Sequence, residues 1–264
     1  MDYQLSAKTA LVTGSTQGIG YAIAALLKQE GATVYINGRT AAKVDAAIAK
    51  LNAEVSAGQA LPAVADLADD ASLASLLEAV PSVDILVNNT GIFEPKAFFD
   101  IPDDDWRRFF EVNVLSGVRL SRHYLRGMLD RNWGRVVFIS SESALNIPEE
   151  MIHYGMTKTA QLAVSRGLAE LTKNTKVTVN AILPGPTRSE GVDEFVNQMA
   201  RQQKITPAEM ETKFFHEARP TSLIQRFATV NEVAQMVAYV ASPLSSATNG
   251  AALRVDGGAV KTIA

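Results

Sequence analysis

The chain has 264 residues and a mass of 28.4 kDa, with 47% hydrophobic and 20% charged residues, the proportions of a folded protein able to bury its own core. Its 25 basic and 28 acidic residues leave a net charge of −3, without the basic excess that neutralises nucleic-acid phosphates, so no nucleic-acid partner is expected. Cysteine is absent, which excludes disulfides, thiolate nucleophiles and Cys-ligated zinc or iron–sulfur clusters together.

Residues 1–8 carry an acid and polar residues where a secretory signal needs a basic and then an apolar stretch. No apolar run approaches the ~20 residues that span a bilayer. The expectation is a soluble, cytoplasmic protein with no membrane partner.

Short β-branched runs then alternate with stretches of helical period. Residues 9–12 read as a strand, 19–29 as a helix, 33–36 as a strand and 41–51 as a helix. Strands at 61–64 and 83–87 flank a helix at 71–79, and further strands follow at 135–139 and 176–182. Two long helical regions, roughly 104–130 and 154–173, lie between the later strands. Strands that are apolar throughout and each followed by a helix predict a parallel sheet buried on both faces. The fold class is therefore α/β, a Rossmann-type doubly wound sheet in one domain over residues 1–264. The stretch from Pro184 to about Pro220 breaks the alternation, mixing Val192, Phe195, Val196, Met199, Phe214 and Phe215 with many charges. It reads as a small helical lid at about 186–220, with a packed connector that gates nothing as the alternative.

Two groups of residues carry chemistry. Thr13-Gly14-Ser15-Thr16-Gln17-Gly18-Ile19-Gly20 joins the first strand to the first helix, where glycines permit a tight turn and helix N–H groups face an anion. Gly14, Ser15, Gly18, Ile19 and Gly20 are the candidate cofactor-binding positions there, although a purely structural glycine turn has the same residues. Ser141 follows the fifth strand, and Tyr154 and Lys158 stand one helical turn apart, so their side chains share a face. An ammonium ~4–5 Å from the phenol supplies roughly 3–4 kcal/mol at an effective dielectric near 20, about two to three pKa units, enough to make tyrosine a usable acid or base.

Taken in order, the glycine pattern, Asn88-Asn89-Thr90-Gly91, Asn113, Ser141, Tyr154-Gly155-Met156-Thr157-Lys158, Asn180, Pro184-Gly185 and Val255-Asp256-Gly257-Gly258 resemble the short-chain dehydrogenase/reductase family over nearly the whole chain. The resemblance implies hydride transfer between an alcohol and a ketone or aldehyde, with Tyr154 as general acid/base. It implies that Ser141 hydrogen-bonds the substrate oxygen and that Lys158 binds the nicotinamide ribose. It implies too that Asn113 braces a water that links Lys158 to solvent as a proton relay. On the cofactor side it implies Asp66 for the adenine, Asn88 as a supporting turn, and Thr187 with Ser189 for the nicotinamide carboxamide. It also implies a homotetramer built on the helices of Asn113 and Tyr154 and on the 255–258 region. Thr90 departs from the family's alanine and Thr157 from its serine; Pro186 stiffens its turn, and Ser189 stands where threonine is common.

NADP(H) is expected over NAD(H). A NAD site places an acid about twenty positions beyond the glycine loop. Here no Asp or Glu occurs between Gly31 and Val44. Gly38 takes the acidic position and Arg39 follows, either to pair with a 2′-phosphate through its planar fork or to stand as a solvated loop arginine. His123, His153 and His216 form no metal-ligand pattern, so no metal is expected. His153 is read as a loop histidine, Trp106 with Phe109 and Phe110 as core or subunit contact, and Glu142, Glu149 and Glu150 as a solvated acidic rim or a selector of cationic or hydroxylated substrates. Reduction of a C=C bond and a catalytically idle nucleotide sensor are the rival readings.

Overall fold

The computed structural model describes residues 2–263. Its strands are β1 (Thr9–Val12), β2 (Thr33–Gly38), β3 (Gln59–Val64), β4 (Ile85–Asn88), β5 (Gly134–Ile139), β6 (Val177–Pro184), the short β7 (Thr187–Arg188) and β8 (Ala228–Thr229), and β9 (Ala252–Val255). Its helices are α1 (Gly18–Gln29), α2 (Ala41–Glu54), α3 (Asp70–Ala79), α4 (Asp103–Phe110), α5 (Ser116–Asp130), α6 (Ile152–Glu170), α7 (Glu190–Gln203), α8 (Pro207–Glu217) and α9 (Val230–Ala241).

Seven strands pair in parallel in the order β3-β2-β1-β4-β5-β6-β9. The chain winds outward from β1 to β3 and returns to β4 on the other side of β1, so the order reverses between β1 and β4. That reversal opens a crevice at the carboxyl ends of the strands, the place where such sheets bind ligands.

Alternation along β1 shows why the strands read as apolar throughout. Ala10 and Val12 enter the core beneath α1, α2 and α9, while Leu11 enters the opposite core beneath α3, α5 and α6. Side chains of both parities are thus buried, as a sheet covered on both faces requires. α1 buries Ile23, Ala24 and Leu27 and packs against α9.

The structure differs from the sequence expectation in four places. The expected helix over 104–130 is interrupted: a wide π-turn over Glu111–Leu115 separates α4 from α5 and turns Asn113 into the protein, where it is 1% exposed. α9 and β9 were not expected from the pattern. β9 is short and carries Arg254 in its middle, and α9 begins at a capping box in which Thr229 and Glu232 satisfy each other's backbone groups. The irregular segment does form two helices, α7 and α8, but its small core runs on past 220 to Phe227. Val196, Ala200, Met210, Phe215 and Phe227 make up that core, with the Phe214, Phe215 and Phe227 rings 5.1–5.2 Å apart. His153 lies in the first turn of α6 instead of a loop. Among the described residues no helix is long and apolar enough to cross a membrane.

Candidate active site

The loop after β1 is shaped by its glycines. Gly14 and Gly18 have φ of 58° and 60°, in the left-handed region. A Cβ on Gly20 would lie 2.4 Å from the Gly14 carbonyl, so only glycine lets α1 start this close to the loop. Ser15 is spent on the same architecture: its hydroxyl donates to the Val12 carbonyl (2.7 Å) and accepts from the Asn37 N–H (3.0 Å). Its backbone N–H donates to the Asn37 carbonyl, and Ser15 is fully buried. Asn37, not singled out by sequence reasoning, is the hub: its amide donates to Ala63 and Ala65 and its Oδ1 accepts from the Gly14 N–H. Ile19 packs against the core beneath α1. The N–H of Gly18, at the first turn of α1, donates to Oε2 of Glu190 at 3.0 Å, so a carboxylate already occupies the anion position of the helix N-terminus.

Across the crevice, Asn89 Nδ2 donates to the Thr13 and Gly14 carbonyls, and the Thr13 hydroxyl accepts from the N–H groups of Asn89 and Thr90. Asn88 donates to Ser121 (3.2 Å), but its Oδ1 is buried with no partner. The Thr90 hydroxyl is likewise buried and unpartnered, 3.1 Å from where a Cβ on Gly14 would lie. Asp66 accepts from the Ala68 N–H within its own turn (3.0 Å). At the end of β2, Gly38 is buried, and a Cβ there would lie 2.6 Å from Thr16 Cγ2. Arg39 is exposed and makes no hydrogen bond or ion pair among the described residues. Thr187 is buried, its hydroxyl donating to the Gly185 carbonyl, and Ser189 lies against Gly18.

The third side of the crevice is the end of β5 and the start of α6. Ser141 follows β5 and faces the hydroxyl of Tyr154. Burial pushes the Tyr154 phenol above its ordinary range; the Ser141 hydrogen bond and Arg219 pull it down, and Glu142 raises it further. The Lys158 ammonium, 5.6 Å from the centre of the Tyr154 ring, donates to the Ile139 carbonyl (3.0 Å) and to Gln161 Oε1 (3.3 Å). Burial lowers its pKa to about 8. The Lys158 ammonium is thus held beside the Tyr154 ring by Ile139 and Gln161, while Glu142 and Arg219 lie on the hydroxyl side.

Asn113 is brought to the same place by the π-turn. Its amide donates to the Ile92 carbonyl (3.0 Å) and the Thr157 hydroxyl (3.0 Å), and its Oδ1 accepts from the Ile92 N–H (2.8 Å). Its backbone carbonyl accepts from Gln161 Nε2 at 2.6 Å, so Gln161 spans from Lys158 to Asn113. Gln161 was missed because nothing in a Lys-x-x-Gln spacing separates a bridging amide from a solvated one.

Glu142 also departs from expectation. Glu149 and Glu150 are exposed, but Glu142 is 5% exposed and lies against Ser141, Ser143 and Arg219. His153 is fully buried between Phe109 (ring centres 4.1 Å apart) and Trp106 (6.0 Å), with neither ring nitrogen partnered, and burial depresses its pKa. It is a neutral core histidine. His123 is exposed and contacts the Pro81 carbonyl, and His216 is exposed on α8, far from any shared ligand set. Among the described residues no cluster of His, Asp and Glu is arranged to hold a metal ion.

Comparison with known proteins places this geometry in context. The short chain dehydrogenase family model matches residues 8–200. The oxidoreductase YvaG of Bacillus subtilis is 52% identical over 263 residues, covering 100% of both chains. The D-β-hydroxybutyrate dehydrogenase of Rhizobium meliloti is 30% identical over 255 residues, covering 95% of this chain and 98% of its own. The structure of L-sorbose reductase from Gluconobacter frateurii, complexed with NADPH and L-sorbose, superposes with a TM-score of 0.92 at 28% identity over 100% of both chains.

Proposed function

This chain belongs to the short-chain dehydrogenase/reductase family, an oxidoreductase that uses a nicotinamide cofactor, and from that premise we propose that it interconverts a small alcohol and its ketone or aldehyde with NADP(H), using Tyr154 as general acid/base. The observation that carries the reading is the stack of groups between the end of β5 and the first turns of α6, in which buried Ser141 and Lys158 flank the half-buried Tyr154. The Tyr154 hydroxyl faces Ser141 on one side, and the Lys158 ammonium lies behind the ring on the other.

The crevice suits a dinucleotide. The N-terminus of α1 already carries a carboxylate on the Gly18 N–H, and two buried polar atoms, Asn88 Oδ1 and Thr90 Oγ1, are unpartnered beside the loop. Gly14, Gly18, Ile19 and Gly20 would form its phosphate cradle, with Asp66, Asn88, Thr187, Ser189 and Lys158 as further contacts and Arg39 against a 2′-phosphate. A bound nicotinamide supplies the hydride donor or acceptor. Tyr154 holds the proton: it gives it to the carbonyl oxygen in reduction and takes it from the alcohol in oxidation. Ser141 orients the same oxygen, and Lys158, fixed by Ile139 and Gln161, would hold the nicotinamide ribose. α7 and α8 act as the lid over this centre.

The pairing of Gly38 with the free Arg39 supports NADP over NAD, since no acid stands there to repel a phosphate. A homotetramer belongs to the same reading: Ala163 and Gly167 on α6 are exposed, and a Cβ on Gly167 would meet nothing within 4 Å, leaving room for a partner helix. Light scattering that gives a 28.4 kDa particle at micromolar concentration overturns the assembly. A cytoplasmic location completes the proposal and is checked by cell fractionation. The deciding experiment follows absorbance at 340 nm with L-sorbose, D-β-hydroxybutyrate, diacetyl and cyclohexanol against NADP(H) and NAD(H). Turnover with a higher kcat/KM for the phosphorylated cofactor is expected. No turnover of any compound overturns the alcohol–carbonyl reading, and a preference for NAD(H) overturns the cofactor assignment.

A further inference from the structure

We propose that Glu142 is a positioning residue for Ser141, and that Arg219, from the segment that follows α8, holds Glu142 in that task, tying the lid to the orientation of the serine hydroxyl. The inference rests on the reading of Ser141 and Tyr154 as the reacting pair.

The geometry is a closed set of hydrogen bonds. Glu142 Oε2 accepts from the Ser141 hydroxyl (2.5 Å), the Ser143 N–H (2.7 Å) and the Ser143 hydroxyl (3.1 Å), and its Oε1 accepts from Arg219 Nε (3.3 Å). A carboxylate has no proton to give, so the short contact with Ser141 places the serine's hydrogen on the Glu142 side. The serine oxygen also accepts from the Ser143 N–H at 3.1 Å. Glu142 and the Ser143 N–H together fix the Ser141 oxygen beside Tyr154, and rotation about the Cβ–Oγ bond is all that the hydroxyl needs to donate to an arriving substrate oxygen. Arg219 is 13% exposed at its side chain, close to Glu150 (3.6 Å) as well as to Glu142. A buried carboxylate left without its guanidinium is strongly disfavoured, so displacement of the segment after α8 and release of Ser141 are one event.

The groups around the Tyr154 ring are few. Phe93 meets it edge-on at 6.4 Å, Lys158 lies behind it, and Ser141, Glu142 and Arg219, with Glu150 beyond, lie on the hydroxyl side. Glu142 and Arg219 are opposite charges acting on one phenol, and they shift its ionisation in opposite directions. A residue that merely packs the site has no such signed effect.

The test is the pH profile of kcat/KM for oxidation of whichever alcohol of the panel above turns over fastest with NADP, a direction in which activity rises as the base ionises. E142Q is expected to lower kcat/KM roughly tenfold to a hundredfold by loosening Ser141, and to move the rising limb to lower pH by about one unit. R219Q is expected to move the limb to higher pH, R219K to restore it, and the double variant to return it toward the wild-type position. Hydrogen exchange in residues 207–227 is expected to quicken in both E142Q and R219Q. If E142Q does not fold, the contrast of R219Q with R219K carries the test. Limbs that stay in place, or that move in the same direction in E142Q and R219Q, overturn the inference. Tyr154→Phe separates the two failures: full activity there overturns the assignment of the base, whereas activity lost there with stationary limbs overturns the role of Glu142.

Discussion

The two ends of the crevice are built on opposite plans. Beside Tyr154 a chain of polar groups is tied down: Lys158 to Ile139 and Gln161, Gln161 to Asn113, Asn113 to Ile92 and Thr157. At the carboxyl end of β2, Arg39 stands exposed and, among the described residues, unpaired next to a glycine. The difference teaches where each property is stored. Proton transfer needs groups held within a fraction of an ångström, which a buried network provides, whereas recognition of a phosphate tolerates a flexible cation that settles when the anion arrives. Changes at the first end should disable chemistry, and changes at the second should redirect it.

The largest effect expected is that of Tyr154→Phe, which keeps the ring and removes the proton. Turnover falls by about 10²–10⁴-fold, while the dissociation constant of NADPH, read by fluorescence quenching, stays within a factor of two or so of wild type. A variant that still turns over would erase the contrast between the two ends. Arg39→Leu is next. It lowers kcat/KM with NADP roughly tenfold to a hundredfold, the worth of a charge-assisted hydrogen bond, and leaves the value with NAD unchanged. Conversion to NAD needs more than an acid at position 38. The Cβ of Gly38→Asp would lie 2.6 Å from the Thr16 methyl, so the single change should destabilise the loop, and adding Thr16→Ala should relieve it and permit the switch. Melting temperatures of the single and double variants, with kcat/KM for both cofactors, check this.

Gln161→Leu sharpens the comparison from the rigid side. The Lys158 ammonium and the Asn113 carbonyl each lose a buried partner, so urea denaturation should report a loss of about 1–3 kcal/mol, with a fall in kcat that exceeds any change in NADPH affinity. The smallest effect is at His153. Its folded pKa lies below the unfolded value near 6.5, so the unfolded chain takes up the proton first, and this residue's contribution to stability is present above pH 6.5 and declines as the pH falls below it. His153→Leu should flatten that acid limb, seen as a weaker pH dependence of the melting temperature between pH 5 and about 6.5.

Much of this was legible because it repeats. Six of the seven sheet strands announce themselves as apolar runs ahead of helical stretches, and the glycine loop and the Tyr154 to Lys158 spacing are local patterns. α9 left a signal that was passed over, the Thr229-x-x-Glu232 box followed by Val233, Ala234, Val237 and Ala238 on one face. Other features have no local signature. Glu142 read as a surface acid because its partner Arg219 lies 77 residues away. Ser15 read as a ligand contact because the pattern of a loop does not tell which hydroxyls turn inward. The π-turn that delivers Asn113 follows from packing against Ile92 and Thr157, which no periodicity encodes.

α1, into which the glycine loop leads, lies against α9, drawn from the opposite end of the described chain, and both close over the same core. The glycine loop therefore depends on residues that are synthesised long after it. Until α9 docks, Ile23, Ala24 and Leu27 have no cover on that side, and the turn that is to hold a dinucleotide has a helix with nothing to brace it. A nascent or shortened chain that stops before α9 carries the whole glycine pattern in its sequence without the helix that braces it.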